Sequence, residues 1–508
     1  MHTKSLLLAL FIALKFALQY LAIAPEYEVH RDEYLHLDQA RHLAWGYLSV
    51  PPFTSWVSYL ILLLGNGVFW VKFFPALFGA LTIFVVWKTI ESLGGDLFAL
   101  ALGATAMICS VFVRINTLYQ PNSVDYLCWT FVYYAFVRYV QTEKPRWLYW
   151  AGIVFALGFL NKYNIVFLAL GLVPALLMTP SRKIFTKPAL YLALGLALVM
   201  ISPNLYWQYS HDFPVLQHMR ELSEDQLVNV SRADFFMDQI LFFSGAVWVW
   251  LAALLAFWVY PPFRPYRFSF FAFLISMALF VYLRAKGYYS IGLYPILLAF
   301  GAVYFEFLLN KGWRVYLRPI VLAFPVVLFS GLAMVVLPMR SPAEIEADPA
   351  QYKSLGLLRW EDGKDHSLPQ DFADMQGWRE LAQKVDKVYA GLADKQGTLV
   401  FCDNYGQAGA INFYTNQGIQ AVSMNADYIN WINLDQPIHN IILVKESEDD
   451  DPNREAERPA FVRVETMGEI KNPFAREKGA KIYLLEGAKV PIAPILQEEI
   501  EKRKRGED

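Results

Sequence analysis

Val68-Phe-Trp-Val-Lys-Phe-Phe-Pro-Ala-Leu-Phe-Gly-Ala-Leu-Thr-Ile-Phe-Val-Val-Trp-Lys-Thr-Ile-Glu-Ser92 decides the fold class of this chain. Its charges sit near its two ends, at Lys72, Lys88 and Glu91. The whole run is longer than a core helix needs and suits a bilayer, which takes about 20 helical residues. Similar runs recur at 5–24, 95–113, 123–141, 147–161, 163–179, 188–206, 238–260, 267–284, 288–309 and 318–338. The expectation is a polytopic α-helical membrane protein with about eleven spans. The first run follows Lys4 and resembles a signal peptide, but it lacks a compelling cleavage site and is read as a span.

Composition agrees. The 508 residues are 56% hydrophobic and only 18% charged, against about a quarter charged in ordinary soluble domains. The deficit is confined to residues 1–340, while 341–508 reads as soluble protein. Two domains are therefore expected: a transmembrane domain, 1–340, containing a first external loop at 25–66 with interfacial helices, and a soluble domain, 341–508. The net charge of −2 points to no nucleic acid. Cys109, Cys128 and Cys402 are too dispersed for a metal knuckle or a disulfide framework.

Short basic loops alternate along the membrane region: Lys144 and Arg146; Arg182, Lys183 and Lys187; Arg264 and Arg267; Lys311, Arg314 and Arg318. Placing these inside puts the N-terminus in the cytoplasm. An odd number of spans then carries 341–508 outside, to the periplasm or its equivalent. In that domain Thr398–Cys402, Asn440–Val444 and Lys481–Leu485 read as buried strands, and Gly377–Leu392 as an amphipathic helix, giving a small α/β domain. The charged run Gln497–Asp508 is expected to fray.

Chemistry concentrates in Glu26-Tyr-Glu-Val-His-Arg-Asp-Glu-Tyr-Leu-His-Leu-Asp38. Asp32 and Glu33 are adjacent carboxylates at a water–lipid boundary, where partial desolvation is expected to raise the pKa of a general base. The same pair equally reads as a helix start, with Asp32 as N-cap and Glu33 in the first turn. The i, i+4 pair of Asp32 and His36 leaves a divalent metal open, and no cofactor is otherwise indicated. Arg114, Lys162, Arg284 and Lys286 lie beside apolar helix ends on the same outer side. Each alone is explained by snorkelling; converging, they fit a phosphate whose lipid tail stays in the bilayer. Asp125, just inside its span, is a costly ionisable group there. Tyr163, Tyr288 and Tyr289 serve either as interface aromatics or as sugar-stacking rings. No Gly-rich phosphate loop, metalloprotease motif or nucleophile elbow occurs.

Arg31-Asp-Glu-Tyr34, His42-Leu-Ala-Trp-Gly-Tyr47 and Pro51-Pro52 resemble the first external loop of bacterial family 39 glycosyltransferases. These are GT-C-type membrane enzymes similar to protein O-mannosyltransferases and the lipid A aminoarabinose transferase. Gln120–Asp125, Leu160–Tyr163, Pro203–Gln208, Lys286–Tyr289, Tyr294-Pro295 and Asn404–Tyr414 extend the resemblance in order along nearly the whole chain. It implies a polyprenyl-phosphate sugar donor, transfer at the outer face, and a lipid A, glycan or protein acceptor. By the same resemblance Asp32 is the base and Glu33 its assistant. Lys162, Arg284 and Lys286 take the donor phosphate, and Arg31, Tyr34, His36, Asp125, Tyr163, Tyr288 and Tyr289 line the substrates. Ser49 and Val50, before Pro51, depart from the acidic or lysine residue that relatives carry there. Two other readings stay open: a flippase for lipid-linked sugars, disfavoured by the lack of an internal repeat, and a non-catalytic scaffold.

Overall fold

The computed structural model describes residues 2–225 and 231–505. Contacts divide the chain into two units: Met1–Ala22, Ala44–Thr54 and Phe69–Leu337 form one, and Ile23–Leu43, Ser55–Val68 and Pro338–Asp508 the other. The second unit thus draws on two pieces from the N-terminal region, 23–43 and 55–68, besides the chain beyond 338.

The first unit is helical. Among the described residues six helices are long and apolar enough to cross a membrane: Thr3–Leu21, Val68–Ser92, Pro188–Ser210, Pro261–Tyr282, Gly287–Leu308 and Gly312–Val336. A seventh crossing is available if Tyr163–Leu177 and Pro180–Thr186, bent by 107°, act as one span. Every expected apolar run contains a helix. Several are short: Leu97–Ile108, Arg146–Phe159 and Val247–Val259 have 12, 14 and 13 residues, which at 1.5 Å per residue falls short of about 30 Å of hydrocarbon. Large apolar side chains such as Leu192, Leu198 and Val199 point outward on Pro188–Ser210, as expected of a surface solvated by lipid. Small residues set the close helix packing. A Cβ on Gly301, in Tyr294–Leu308, would lie 2.0 Å from the Val249 carbonyl oxygen of Val247–Val259.

The second unit holds a five-stranded sheet: β1 (Thr398–Cys402), β2 (Ala421–Ser423), β3 (Asn440–Lys445), β4 (Phe461–Glu469) and β5 (Lys481–Ala488). Its order is β2-β1-β3-β5-β4, with β1 parallel to both β2 and β3 and the remaining pairs antiparallel. β3 lies in the middle, buried from Asn440 to Val444, which is why it reads as an unbroken apolar run rather than an alternating one. β4 forms one edge and has a register irregularity between Thr466 and Gly468. Helix Trp378–Ala390 buries Trp378, Leu381, Ala382, Val385 and Val388 along one stripe. Gly377 precedes it at φ 86°, where a Cβ would meet that of Ala475 at 2.7 Å. The chain end does not fray as expected through Lys504. Helix Ile492–Lys504 buries Ile492, Leu496 and Ile500, an apolar spacing hidden among charges; the last three residues lie outside the described ones.

Candidate active site

In the second unit, helix Arg31–Asp38 starts from a capping box. His30 Nδ1 accepts from the Asp32 amide (3.2 Å), and Glu33 Oε2 accepts from the His30 amide (2.6 Å). The cap is therefore His30 with Glu33, not Asp32, and Glu33 is fully buried in that role. This leaves the Asp32 carboxylate for other partners. Its Oδ1 accepts from the Tyr405 phenol at 2.6 Å, and the Arg31 guanidinium lies 4.6 Å from the centroid of the Tyr405 ring. Behind them stands Asp374, whose carbonyl takes the Arg31 amide at 3.0 Å. The Asp374 carboxylate lies 3.9 Å from His30 Nε2 and within 3.3 Å of Arg476.

The electrostatics of Asp32 correct the expectation. Burial alone pushes its carboxyl up. Its interaction with His30, the Tyr405 hydrogen bond, and the fields of Arg31 and His36 outweigh that and hold it below its ordinary value. The carboxylate is thus kept ionised by its partners instead of being held near neutrality by desolvation.

Other loop residues are structural in their contacts. Tyr34 is fully buried, with its ring 5.8 Å from those of Trp378 and Phe413 and 6.0 Å from Tyr414. His36 is buried and its carbonyl accepts from Ser58 Oγ at 2.6 Å. Asp38 Oδ2 accepts from Asn412 (2.7 Å) and Tyr428 (2.6 Å), and burial pushes its pKa up to about 6 against those two hydrogen bonds and the charge of Arg41. Among the described residues no group of three or more His, Cys, Asp or Glu is arranged to hold a metal ion, so Asp32 and His36 lack a third ligand.

In the first unit, Lys162 is the centre. Its Nζ donates to Asn122 Oδ1 at 2.7 Å and lies 5.1 and 4.9 Å from the ring centroids of Tyr288 and Tyr289. Asp125, fully buried, attracts it, while Lys286 repels it. Asp125 is itself fixed by Trp129 Nε1 and Asn164 Nδ2, both at 3.0 Å, and Asn164 also donates to the Tyr289 carbonyl at 3.1 Å. Lys162, Asp125, Tyr288, Tyr289 and Lys286 therefore form one constellation. Arg284 is exposed and takes a left-handed φ of 52°. Tyr163 faces elsewhere: its phenol donates to Asn204 Oδ1 (3.1 Å) and accepts from Gln208 (3.0 Å).

Asn204 also donates to the Trp45 carbonyl at 2.7 Å, tying helix Pro188–Ser210 to the Pro-Pro segment. Gly46 is required there, since a Cβ would stand 2.3 Å from the Trp207 ring. The departing pair Ser49–Val50 sits in a turn closed from the Tyr47 amide to the Val50 carbonyl, at 3.1 Å. A backbone bond of this kind is indifferent to the side chains at 49 and 50.

Residues 49–207 match the family model described as dolichyl-phosphate-mannose-protein mannosyltransferase. The structure superposes on ArnT from Cupriavidus metallidurans, solved bound to undecaprenyl phosphate, with a TM-score of 0.64 over 94% of this chain and 97% of that one, at 16% identity. The chain has the GT-C-type glycosyltransferase fold. The apo form of the same ArnT shares this GT-C fold at a TM-score of 0.61 and 15% identity, with the same coverage. In sequence, the lipid A galacturonosyltransferase RgtD of Rhizobium johnstonii is 27% identical over 228 residues, 41% of this chain. The match spans about half the length of that relative, 47%.

On this GT-C framework, sequence reasoning singled out the segments around Lys162 but not Asn122 or Asn164, which hold the lysine and the aspartate. Asn122 lies inside the quoted Gln120–Asp125 segment and Asn164 directly follows Leu160–Tyr163, so the signal was present as position without role. Tyr405 and Asp374 were missed as partners of Asp32, because nothing local connects residue 32 with residues more than 300 positions away.

Proposed function

We propose that this chain is an integral-membrane glycosyltransferase that moves a sugar from a polyprenyl-phosphate donor to a hydroxyl or phosphate of a cell-envelope glycolipid, glycan or protein. The observation that carries the reading is the Asp32 carboxylate, held ionised by His30, Arg31 and a phenol on a fold shared with ArnT. The likeness to RgtD favours lipid A as the acceptor class.

In this reading the acceptor hydroxyl gives its proton to Asp32 as its oxygen attacks the anomeric carbon. The bond from that carbon to the lipid phosphate breaks, and the electron pair leaves with the phosphate. A single displacement inverts the anomeric centre. Lys162, with Lys286 and Arg284, offsets the charge on the departing phosphate, and Tyr288 and Tyr289 present ring faces beside it. Lys162 and Lys286 repel each other, and an anion relieves that repulsion, as expected of groups that receive a phosphate. No metal or cofactor enters this scheme. The sugar moves at the outer face of a bacterial inner membrane, with residues 341–508 in the periplasm.

One observation favours the flippase reading. Lys15 is buried within an apolar helix, hydrogen-bonded to Gln19 (2.8 Å) and the Phe112 carbonyl (3.3 Å), and such groups mark transport paths in other proteins. The experiment supplies the full-length protein in membranes with a panel of polyprenyl-phosphate sugars and a lipid A acceptor. Donor-dependent release of polyprenyl phosphate that is lost in Asp32→Asn supports the transferase. Donor crossing between leaflets with no polyprenyl phosphate released overturns it in favour of the flippase.

A further inference from the structure

Arg31 stands among carboxyl groups without bonding to any of them. Its acidic neighbours are Asp374, Glu477 and Asp32, and each is engaged elsewhere. Asp374 lies within 3.3 Å of Arg476. Glu477 accepts from Gln407 Nε2 (2.6 Å) and Asn404 Nδ2 (3.1 Å), and Asp32 Oδ1 accepts from the Tyr405 phenol. Among the described residues the Arg31 guanidinium donates no hydrogen bond and closes no ion pair, and its Nε is sealed from solvent with no partner.

Packing alone holds the side chain in place. Its Cζ lies 4.6 Å from the centroid of the Tyr405 ring. Gly406, next along the helix, makes the room: a Cβ there would stand 2.6 Å from Arg31 Cγ and 3.1 Å from its Nε. A buried donor without an acceptor is costly, and an acceptor that arrives with the substrate accounts for it.

The planar fork of a guanidinium matches a carboxylate or a phosphate, and the surroundings separate the two. A dianionic phosphate is repelled by Asp32, Asp374 and Glu477 more strongly than a singly charged carboxylate is. Tyr405 then relates the fork to the base, since its hydroxyl bonds Asp32 while its ring lies against Arg31. Guanidinium and carboxylate are one aromatic ring apart. In a pyranose sugar acid, the carboxylate is borne by the carbon across the ring oxygen from the anomeric carbon. A cation one ring from the group that activates the attacking oxygen is therefore placed for the carboxylate of the sugar being moved. An acidic group on the acceptor has no such fixed distance.

We infer that Arg31 selects the donor: it binds the carboxylate of a hexuronosyl group, so the sugar transferred is a sugar acid. This rests on the transferase reading with Asp32 as the base, and it names the sugar class that the reading leaves open.

The test uses the full chain in membranes with four polyprenyl-phosphate donors, the hexuronate and the matching hexose in the galacto and gluco series. Release of polyprenyl phosphate is the readout. In one series the wild type is expected to prefer the hexuronate in kcat/KM by about 10²-fold, as a charge-paired hydrogen bond warrants. Arg31→Leu is expected to abolish that preference, and Arg31→Lys, which keeps the charge without the fork, to leave an intermediate one. A purely structural Arg31 predicts instead that both donors slow together and their ratio survives. If Arg31→Leu does not fold, the wild-type ratio and Arg31→Lys decide. Equal use of hexuronate and hexose by the wild type, or a ratio that outlasts the loss of Arg31, overturns the inference and leaves the transferase reading standing. Release from none of the donors counts against the transferase reading, and this inference falls with it.

Discussion

The Tyr428 phenol donates a 2.6 Å hydrogen bond to Oδ2 of Asp38, and Asn412 donates to the same oxygen at 2.7 Å. Two donors on one buried oxygen still do not repay the desolvation of a full charge, so the Asp38 pKa stands at about 6. A carboxyl raised in the folded state favours folding while it is protonated. Its contribution is full below the unfolded value near 4 and is lost as pH rises through about 6. Stability should therefore fall by about 3 kcal/mol across that window from this group alone. Asp38→Asn is expected to flatten this part of the profile, as read by thermal unfolding in detergent between pH 4 and 7.

Lys162→Met removes the central cation of the first unit while keeping a similar apolar stem. If it neutralises the departing phosphate, kcat/KM should drop by about 10²- to 10³-fold, the loss typical of deleting one charge-stabilising donor. Lys162→Arg should recover part of this, because the charge returns but a planar guanidinium does not reproduce the compact ammonium that lies over Tyr288 and Tyr289. Release of polyprenyl phosphate measures both.

Asp125→Leu leaves Trp129 Nε1 without its acceptor and Asn164 Nδ2 with the Tyr289 carbonyl alone of its two. An unsatisfied buried donor costs about 1–3 kcal/mol. The variant should unfold at a clearly lower temperature, whereas Asp125→Asn, which keeps an acceptor oxygen, should lose less. Equal midpoints for the two would contradict the hydrogen-bond account.

Gly301→Ala places a methyl group 2.0 Å from the Val249 carbonyl, and a backbone atom inside a helix pair cannot swing aside. Overpacking of this kind costs about 1–3 kcal/mol. The control is Gly331→Ala, where nothing lies within 4 Å of the added carbon. The first variant should lower the unfolding midpoint in detergent and the second should not.

The membrane helices were legible in the sequence because hydropathy is a local property. Their lengths were less so: the 238–260 run divides at residues 242–246 between helices Arg232–Leu241 and Val247–Val259, a break that hydropathy does not record. β1, β3 and β5 were legible as apolar runs. β4 was not, since Arg463, Glu465 and Thr466 leave it exposed along most of its length, and β2 is only three residues long. For the candidate site, residue type identified Asp32 and Lys162. It could not tell that Glu33 closes a capping box or that Tyr34 packs against Trp378, because both depend on partners that only folding brings near. The direction of the Asp32 pKa was misjudged for the same reason: burial was anticipated, while the Tyr405 phenol reaches Asp32 across 373 residues of chain.

The two margins of the sheet bear on how this protein tolerates crowding. A membrane confines its proteins to a plane, where neighbouring copies of an extramembrane unit collide far more often than in free solution. A bare strand flank would then recruit another copy by backbone pairing. β2 offers three residues, too few to template a partner, and β4 carries Arg463 beside Glu465 and Glu486 and is distorted between Thr466 and Gly468. Both flanks are poor templates, so backbone pairing between copies is disfavoured at either edge of the sheet.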